Sequence, residues 1–373
     1  MVELQHPVYV HGIGSLRGEI VVSNLSLWPL FETGFNVERA RGSLDTTEGA
    51  DISRLGPEQV FDFFVRRKLG VGERRYTRKT IEEMIFEAGR QAIQEAGSSD
   101  LRTQRTRAYI STTNDPRVVP NIGQIVAHEL LATNTRGVHL NYACAGLMFA
   151  LEQAYDDLTA GRCDGALVGA VEKSYEQANF EDPTNGPLWG SGAVAFVLSR
   201  NRDNAIALMG RPFTDSCSAP GDLIQYSRKP KEVRIMTPQG DFSFLENDVV
   251  YQMTKRDREN HARKLKGVAE RMASAIKAVL GDIPLNEVHR FFTHPASLKF
   301  QEFTARALNL SKNDPRISTM IETDGNSSSA ATGLALDHYW KEKGIPEGSL
   351  VVLSSIGASY NWGAVPFITL LRR

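Results

Sequence analysis

Two runs of the same character recur in the two halves of this chain. Gly192-Ala193-Val194-Ala195-Phe196-Val197-Leu198 has a counterpart in Gly363-Ala364-Val365-Pro366-Phe367-Ile368-Thr369. Each is preceded by a strand-like stretch, and each such stretch by a helical one. The helix starting at Cys144 corresponds to the one starting near Asn326. The strand at 107–113 corresponds to that at 288–294, and the helix before each also matches. Internal self-similarity of this kind is a fold-level signal. Strands that alternate with helices imply an α/β fold of mainly parallel sheets covered by helices. The expected object is two like halves, 1–200 and 201–373, packed face to face. Active residues are then expected on loops at the strand C-termini of both halves. Chance likeness of common strand–helix patterns is the competing explanation.

The stretch that draws most attention is Asn141-Tyr142-Ala143-Cys144-Ala145-Gly146-Leu147-Met148. A strand-like run, Gly137 to Leu140, leads into it. Leu147, Leu151, Ala154 and Leu158 leave it with helical spacing. Cys144 therefore sits where a strand gives way to a helix. Ala143, Ala145 and Gly146 let the backbone turn sharply and let another molecule approach. A thiol at a helix N-terminus feels the positive end of the helix dipole, which favours the thiolate. Cys144 is thus either a nucleophile or a small buried hydrophobe, and this segment alone does not choose.

Taken in order, Tyr9 to Val22 reads as strand, turn and strand. Asn24 to about Gly56 reads as a long, irregular, polar surface excursion. Pro57 to Lys68 reads as a helix. Thr80 and Glu83 form a capping box for a helix that ends near Gly97. Ile122 to Leu131 is a further helix, Gly165 to Ala170 a short buried strand, and Ser174 to Pro187 a polar loop. The pattern weakens from Asn201 to about Thr254, where a domain boundary is expected. Helices follow at Lys264 to Leu280, Phe300 to Leu308 and Ser327 to about Lys341. Leu350 to Ser354 and Gly363 to Leu371 are the last strands.

The net charge of -1 over 373 residues gives no global field for nucleic acid or a membrane surface. Three cysteines, Cys144, Cys163 and Cys217, argue against a disulfide framework and fit a reducing compartment. No CxxC pair or His/Cys cluster suggests a metal. No apolar run approaches the roughly 18 residues of a membrane span. Met1 to Pro7 lacks the basic start and apolar core of a signal peptide, so a cytoplasmic protein is expected.

The second half carries polar motifs at the points that match the Cys144 turn. His294 follows a strand in Thr293-His294-Pro295-Ala296-Ser297. Asn326 opens a helix in Asp324-Gly325-Asn326-Ser327-Ser328. Ser355-Ile356-Gly357-Ala358-Ser359-Tyr360 precedes the last strand. Singly, His294 reads as a satisfied loop histidine and Asn326 as an N-cap. Together with Cys144 they suggest one site.

With these motifs the chain resembles the β-ketoacyl-ACP synthase III group of the thiolase superfamily, from Val8 to Arg373. The likeness is densest at Ala143-Cys144-Ala145-Gly146, at Asp324-Gly325-Asn326-Ser327-Ser328 and at Trp362-Gly363. The turn Gly70-Val71-Gly72-Glu73-Arg74-Arg75 is similar to the family's early signature. The resemblance implies a thiolase-like fold of duplicated βαβαβ halves in five αβαβα layers, and a Cys-His-Asn site made of Cys144, His294 and Asn326. Cys144 would take an acyl group from a thioester, with an oxyanion hole formed by the backbone N–H groups of Cys144 and Ala358. His294 and Asn326 would hold the enolate left when a malonyl-type thioester loses CO2. No permanent cofactor is implied, only acyl-CoA or acyl-carrier-protein thioesters as substrates, and a homodimer.

The resemblance also implies that Lys299 and Arg306, seven residues apart on one helix face, meet an acyl carrier protein or CoA phosphates. A merely solvated face is the alternative. The stretch Lys255 to Lys277 is also basic and reads as exposed surface. Val119, in the loop Asn114 to Pro120, would cap the partner subunit's acyl pocket. The chain departs from the family pattern at Pro295 and Ser297, at Trp189, in the reduced loop Gly357-Ala358-Ser359, and in a longer stretch from about Thr33 to Phe64. These departures point to specialised polyketide-type or fatty-acid-derived metabolism. Two rival functions remain: acyl transfer from Cys144 to an alcohol or amine, and a non-catalytic partner subunit of a heterodimer.

Overall fold

The structure is a computed structural model that describes residues 7–44, 52–97, 105–131, 135–217, 231–246, 261–358 and 360–371. Two βαβ systems of the same design build it. The first half supplies β1 (Val8–Arg17), β2 (Ile20–Ser23), α1 (Asn24–Phe31), α2 (Val37–Leu44), α3 (Pro57–Lys68), β3 (Glu73–Tyr76) and α4 (Ile81–Ala96). It continues with β4 (Thr106–Ser111), α5 (Ile122–Leu130), β5 (Arg136–Leu140), α6 (Gly146–Thr159), β6 (Gly165–Lys173) and β7 (Ser191–Ser199). Then come β8 (Ala207–Met209), β9 (Phe213–Ser216), β10 (Lys231–Thr237), β11 (Gly240–Glu246) and α7 (His261–Leu280). The remainder is β12 (Val288–Thr293), α8 (Leu298–Ala307), β13 (Ile317–Ser318), α9 (Ile321–Asp324), α10 (Ala331–Lys343), β14 (Leu350–Gly357) and β15 (Asn361–Thr369).

The strand order is β13-β12-β14-β15-β8-β1-β7-β6-β4-β5, with β9 beside β15. The order is self-similar about the β8–β1 junction. β5-β4-β6-β7-β1 on one side matches β13-β12-β14-β15-β8 on the other, which is the duplication expected from the two glycine-led runs. Parallel pairing joins β4 to β5 and β6, and β12 to β13 and β14. The strands nearer the junction, β6 with β7, β7 with β1, β14 with β15 and β15 with β8, are antiparallel. The expectation of mainly parallel sheets is therefore corrected: each half closes with antiparallel strands, which need no crossover helix.

The helices complete five layers. α6 and α10 lie in the middle, in contact with strands of both halves. Their packing is why Leu147, Leu151, Leu158, Leu334 and Leu336 share one core with Phe196 and Phe367. α4 and α5 cover the first half from outside, and α7 and α8 the second. α4 opens on the expected capping box, with Thr80 N–H donating to Glu83 Oε2 at 2.7 Å, and ends at Gly97 with φ +64°. Gly14 and Gly12 let α4 lie on β1 so closely that a Cβ there would meet the backbone of Ala88 and Ala92.

Two segments differ from the sequence expectation. Residues 24–44 and 52–56 are not an irregular excursion but carry two helices and a 3-10 turn, Ile52–Arg54, and lead into the expected helix at Pro57–Lys68. They pack Leu27, Phe31, Phe35, Val60 and Phe61 into a second core. Phe31 stacks on Phe61 at 5.2 Å between ring centroids. The weak stretch after Asn201 contains four strands, and the β10–β11 hairpin caps this core with Val233, Ile235, Phe242 and Phe244. The part of the expected boundary at 218–230 and 247–254, and the basic residues from Lys255 to Asn260, lie outside the described residues.

Candidate active site

The turn into α6 is strained where the sequence suggested it. Ala143, a residue with a Cβ, has φ +47°, a conformation costing about 1 kcal/mol or more. Gly146 opens α6 so near Ser111 that any Cβ would collide with its hydroxyl. Cys144 lies between them, buried. Its Sγ is 3.4 Å from Ser328 Oγ, and its carbonyl accepts a 2.6 Å hydrogen bond from Ser355 Oγ.

Those two serines tie the thiol to the second half. Ser328 has φ +49°, and its N–H donates to Asn326 Oδ1 at 2.8 Å. With its amide oxygen engaged, Asn326 presents its NH2 as the free donor. Its backbone is clamped by Leu188 O (2.8 Å) and Gly190 N (3.0 Å), in a bridge with Trp189. Ser355 continues from Ser354, whose carbonyl accepts from His294 N–H at 2.9 Å. β12 and β14 run parallel, so His294 leaves β12 beside the strand that holds Cys144. His294 is buried and its Nδ1 has no hydrogen-bond partner. Burial pushes its imidazole down to about 3, so it is neutral at physiological pH and has one N–H to donate.

Burial also governs the thiol, and here an expectation is corrected. Cys144 stands at the N-terminus of α6, yet desolvation pushes its pKa up to about 12. A helix end contributes about 0.3–2 kcal/mol, whereas a rise from 9.0 to about 12 corresponds to roughly 4 kcal/mol. Burial wins, and the resting group is the thiol.

The Gly357–Ala358 segment follows Ser355 past the Cys144 turn. A Cβ on Gly357 would meet Tyr142 O, so the two backbones touch. The arrangement offers a buried sulfur, one neutral imidazole and one amide NH2. That set suits a reaction in which negative charge appears on thioester oxygens.

Two models of one family match this chain. The model described as 3-Oxoacyl-[acyl-carrier-protein (ACP)] synthase III matches residues 138–213, and its C-terminal counterpart matches residues 281–367. The first contains Cys144, the second His294, Asn326 and Ala358. Both halves of the chain are thus similar to the β-ketoacyl-ACP synthase III family. Among relatives of this synthase III-like chain is the β-ketoacyl-ACP synthase III of Aquifex aeolicus, 25% identical over 305 residues, 82% of this chain and 89% of that protein. The 3-oxoacyl-ACP synthase III structure from Aquifex aeolicus superposes with a TM-score of 0.75 at 22% identity, covering 97% of this chain and 99% of that one. A priming β-ketosynthase from a polyketide biosynthetic pathway gives 0.72 at 21% identity, covering 98% and 97%. The fold is thiolase-like, as the resemblance implied.

Other expected site residues of the synthase III-like chain lie elsewhere. Lys299 and Arg306 are exposed on α8, and Lys299 pairs with Glu302 at 2.9 Å. Val119 is 79% exposed on the loop after β4, so within one chain it touches no acyl site. Among the described residues, no helix is long and apolar enough to cross a membrane and no group of three metal-ligating side chains occurs.

Sequence reasoning missed Arg74, Glu172, Ser328 and Ser329. Arg74 is fully buried and donates from Nε to Pro187 O at 3.1 Å, from Nη1 to Val22 O at 3.0 Å, and from Nη2 to Asn24 Oδ1. It thereby holds the 186–190 segment that clamps Asn326, which gives the Gly70–Arg75 signature a physical role. Arg74→Met leaves three acceptors without a donor. The expected cost is about 3 kcal/mol of unfolding free energy, read by urea denaturation.

Proposed function

We propose that this chain is a ketosynthase that loads an acyl group on Cys144 and extends it by decarboxylative Claisen condensation with a malonyl-type thioester. The observation that carries the reading is the buried Cys144, linked through Ser328 to Asn326 and through Ser355 and Ser354 to His294. Acyl-CoA or acyl-carrier-protein thioesters are its substrates, and no permanent cofactor is needed. The Cys144 sulfur attacks the acyl carbonyl, the N–H groups of Cys144 and Ala358 hold the oxyanion, and the carrier thiol departs. The malonyl-type thioester then loses CO2, and its electron pair becomes an enolate. The His294 N–H and the Asn326 NH2 stabilise that oxygen as charge develops. The enolate carbon attacks the acyl-Cys144 carbonyl, the C–S bond breaks, and the departing thiolate takes a proton from solvent to regenerate the thiol.

Lys299 and Arg306 are the proposed contacts for an acidic carrier or for CoA phosphates. The chain functions as a cytoplasmic homodimer in which Val119 caps the partner's acyl pocket. Val119→Phe is expected to shorten the longest acyl chain accepted, read by mass over an acyl-CoA length series; an unchanged cut-off contradicts this role. The departures from the family pattern at Pro295, Ser297 and Trp189 and the longer stretch from about Thr33 to Phe64 support a specialised polyketide-type or fatty-acid-derived pathway. Intact-protein mass after exposure to a panel of acyl-CoA and acyl-carrier thioesters tests the loading step. A gain equal to an acyl group supports the reading, and no gain with any donor overturns it.

A further inference from the structure

A buried carboxylate lies next to the nucleophile, and the reaction as written has no role for it. Glu172 is wholly buried near the end of β6. Ser329 Oγ donates to its Oε1 at 2.6 Å, and Ser329 adjoins Ser328, the residue that touches Cys144 Sγ. Thr113 N–H reaches Glu172 Oε2 at 3.2 Å.

The second Thr113 contact gives a proton on Glu172 a place to sit. Thr113 Oγ1 is 2.8 Å from Glu172 Oε2 and 2.9 Å from Gln177 Oε1. One hydroxyl hydrogen cannot satisfy two acceptors. Gln177 cannot resolve this by rotating its amide, because its Nε2 donates to Thr113 O at 2.8 Å. The network closes when Glu172 carries a proton on Oε2, donates it to Thr113 Oγ1, and Thr113 donates to Gln177. In agreement, burial pushes the Glu172 carboxyl up to about 7, and its charge in turn raises the Cys144 thiol.

We propose that Glu172 receives the Cys144 proton as the acyl group is loaded and returns it to the departing thiol. Ser328 and Ser329 position the two groups. The form that reacts holds a neutral thiol and a charged carboxylate. On attack the S–H bond breaks, the S–C bond forms, and the proton passes to Glu172. When the carrier thiolate leaves, it takes that proton, and the carboxylate returns. The buried site holds one negative charge throughout, so no second charge has to be desolvated. His294 is too weakly basic to serve.

Among the described residues, no other charged group competes for this role. Lys173 turns to Glu176 at 2.7 Å, and Arg107 of β4 pairs with Asp157. α4 packs Ile85 on β6, and β7 sets Gly192 and Ala193 beside Glu172 and Val171. The coupled titratable group is the Cys144 thiol.

This inference rests on the acyl-Cys144 reading, so its test uses two probes. Cys144 modification is followed by peptide mass from pH 5.5 to 9, with iodoacetamide and with an acyl-CoA. In the wild type the rate is expected to rise to a bend near pH 7 and then stay flat, because proton exchange within the pair is independent of pH. In Glu172→Gln the bend is expected to vanish, leaving a rise of about tenfold per pH unit. Superimposable profiles overturn the proposal. If that variant does not fold, Ser329→Ala decides. Loss of a donor to the carboxylate raises its pKa, so the bend moves to higher pH, and an unmoved bend overturns the proposal. A wild type that shows the bend with iodoacetamide but takes no acyl group sinks the ketosynthase reading and leaves the proton assignment standing.

Discussion

Cys144→Ala is expected to abolish the covalent acyl adduct outright, with no residual gain in mass from any thioester that loads the wild type. The effect is all-or-none because, among the described residues, no second thiol shares the site. Cys163 is buried near Tyr109, and Cys217 lies after β9. The variant is expected to fold normally. It removes one sulfur from a contact with Ser328 Oγ, and a neutral hydrogen bond of that kind contributes about 1 kcal/mol net. Intact mass and a thermal melt together check both statements. An adduct that persists in Cys144→Ala would place the nucleophile elsewhere.

The second large effect separates the two chemical steps. His294→Ala and Asn326→Ala are each expected to lower condensation by about 100- to 1000-fold, the usual loss for one donor to a developing oxyanion. Acyl loading is expected to change only a few-fold, since in the proposed sequence neither side chain acts before CO2 leaves. Single-turnover mass spectrometry distinguishes the steps, because acyl-enzyme accumulates and fails to discharge. The pH dependence has a definite sign. Burial lowers the His294 pKa to about 3, so the donor stays neutral from pH 5 to 8 and contributes no acid limb in that range. A condensation rate that falls with a midpoint near 6.5 would mean that the imidazole is protonated in the working enzyme.

The duplicated fold and the three polar motifs were legible because each rests on local pattern. The glycine-led runs mark β7 and β15, and chemistry-bearing residues at strand ends mark Cys144, His294 and Asn326. What was not legible depends on packing at a distance. Residues 24–44 look irregular, with Pro29 and Gly34 interrupting the pattern, but Leu27, Phe31 and Phe35 gain their order from Phe61 and Phe64. The β10–β11 hairpin did carry a signal, since Val233 and Ile235 alternate toward a turn at Gly240 and Phe242 and Phe244 alternate away from it. It was obscured by the polar segments on either side. Glu172 escaped because the apolar run of β6 was read as ending at Ala170, two residues before the carboxylate. The thiol pKa was misjudged for a related reason. A helix start is visible in sequence, whereas the burial that outweighs it is made by residues from both halves.

The central claim is that acyl-Cys144 is consumed by carbon–carbon bond formation. The direct measurement is release of labelled CO2 from a carboxyl-labelled malonyl thioester added to acyl-loaded enzyme, with the protein mass followed in the same samples. The account predicts one CO2 for each acyl group discharged, a β-ketoacyl product, and no release from Asn326→Ala on the same timescale. Discharge of the acyl group to an alcohol or amine without CO2 would contradict it and would make this chain an acyltransferase of another kind.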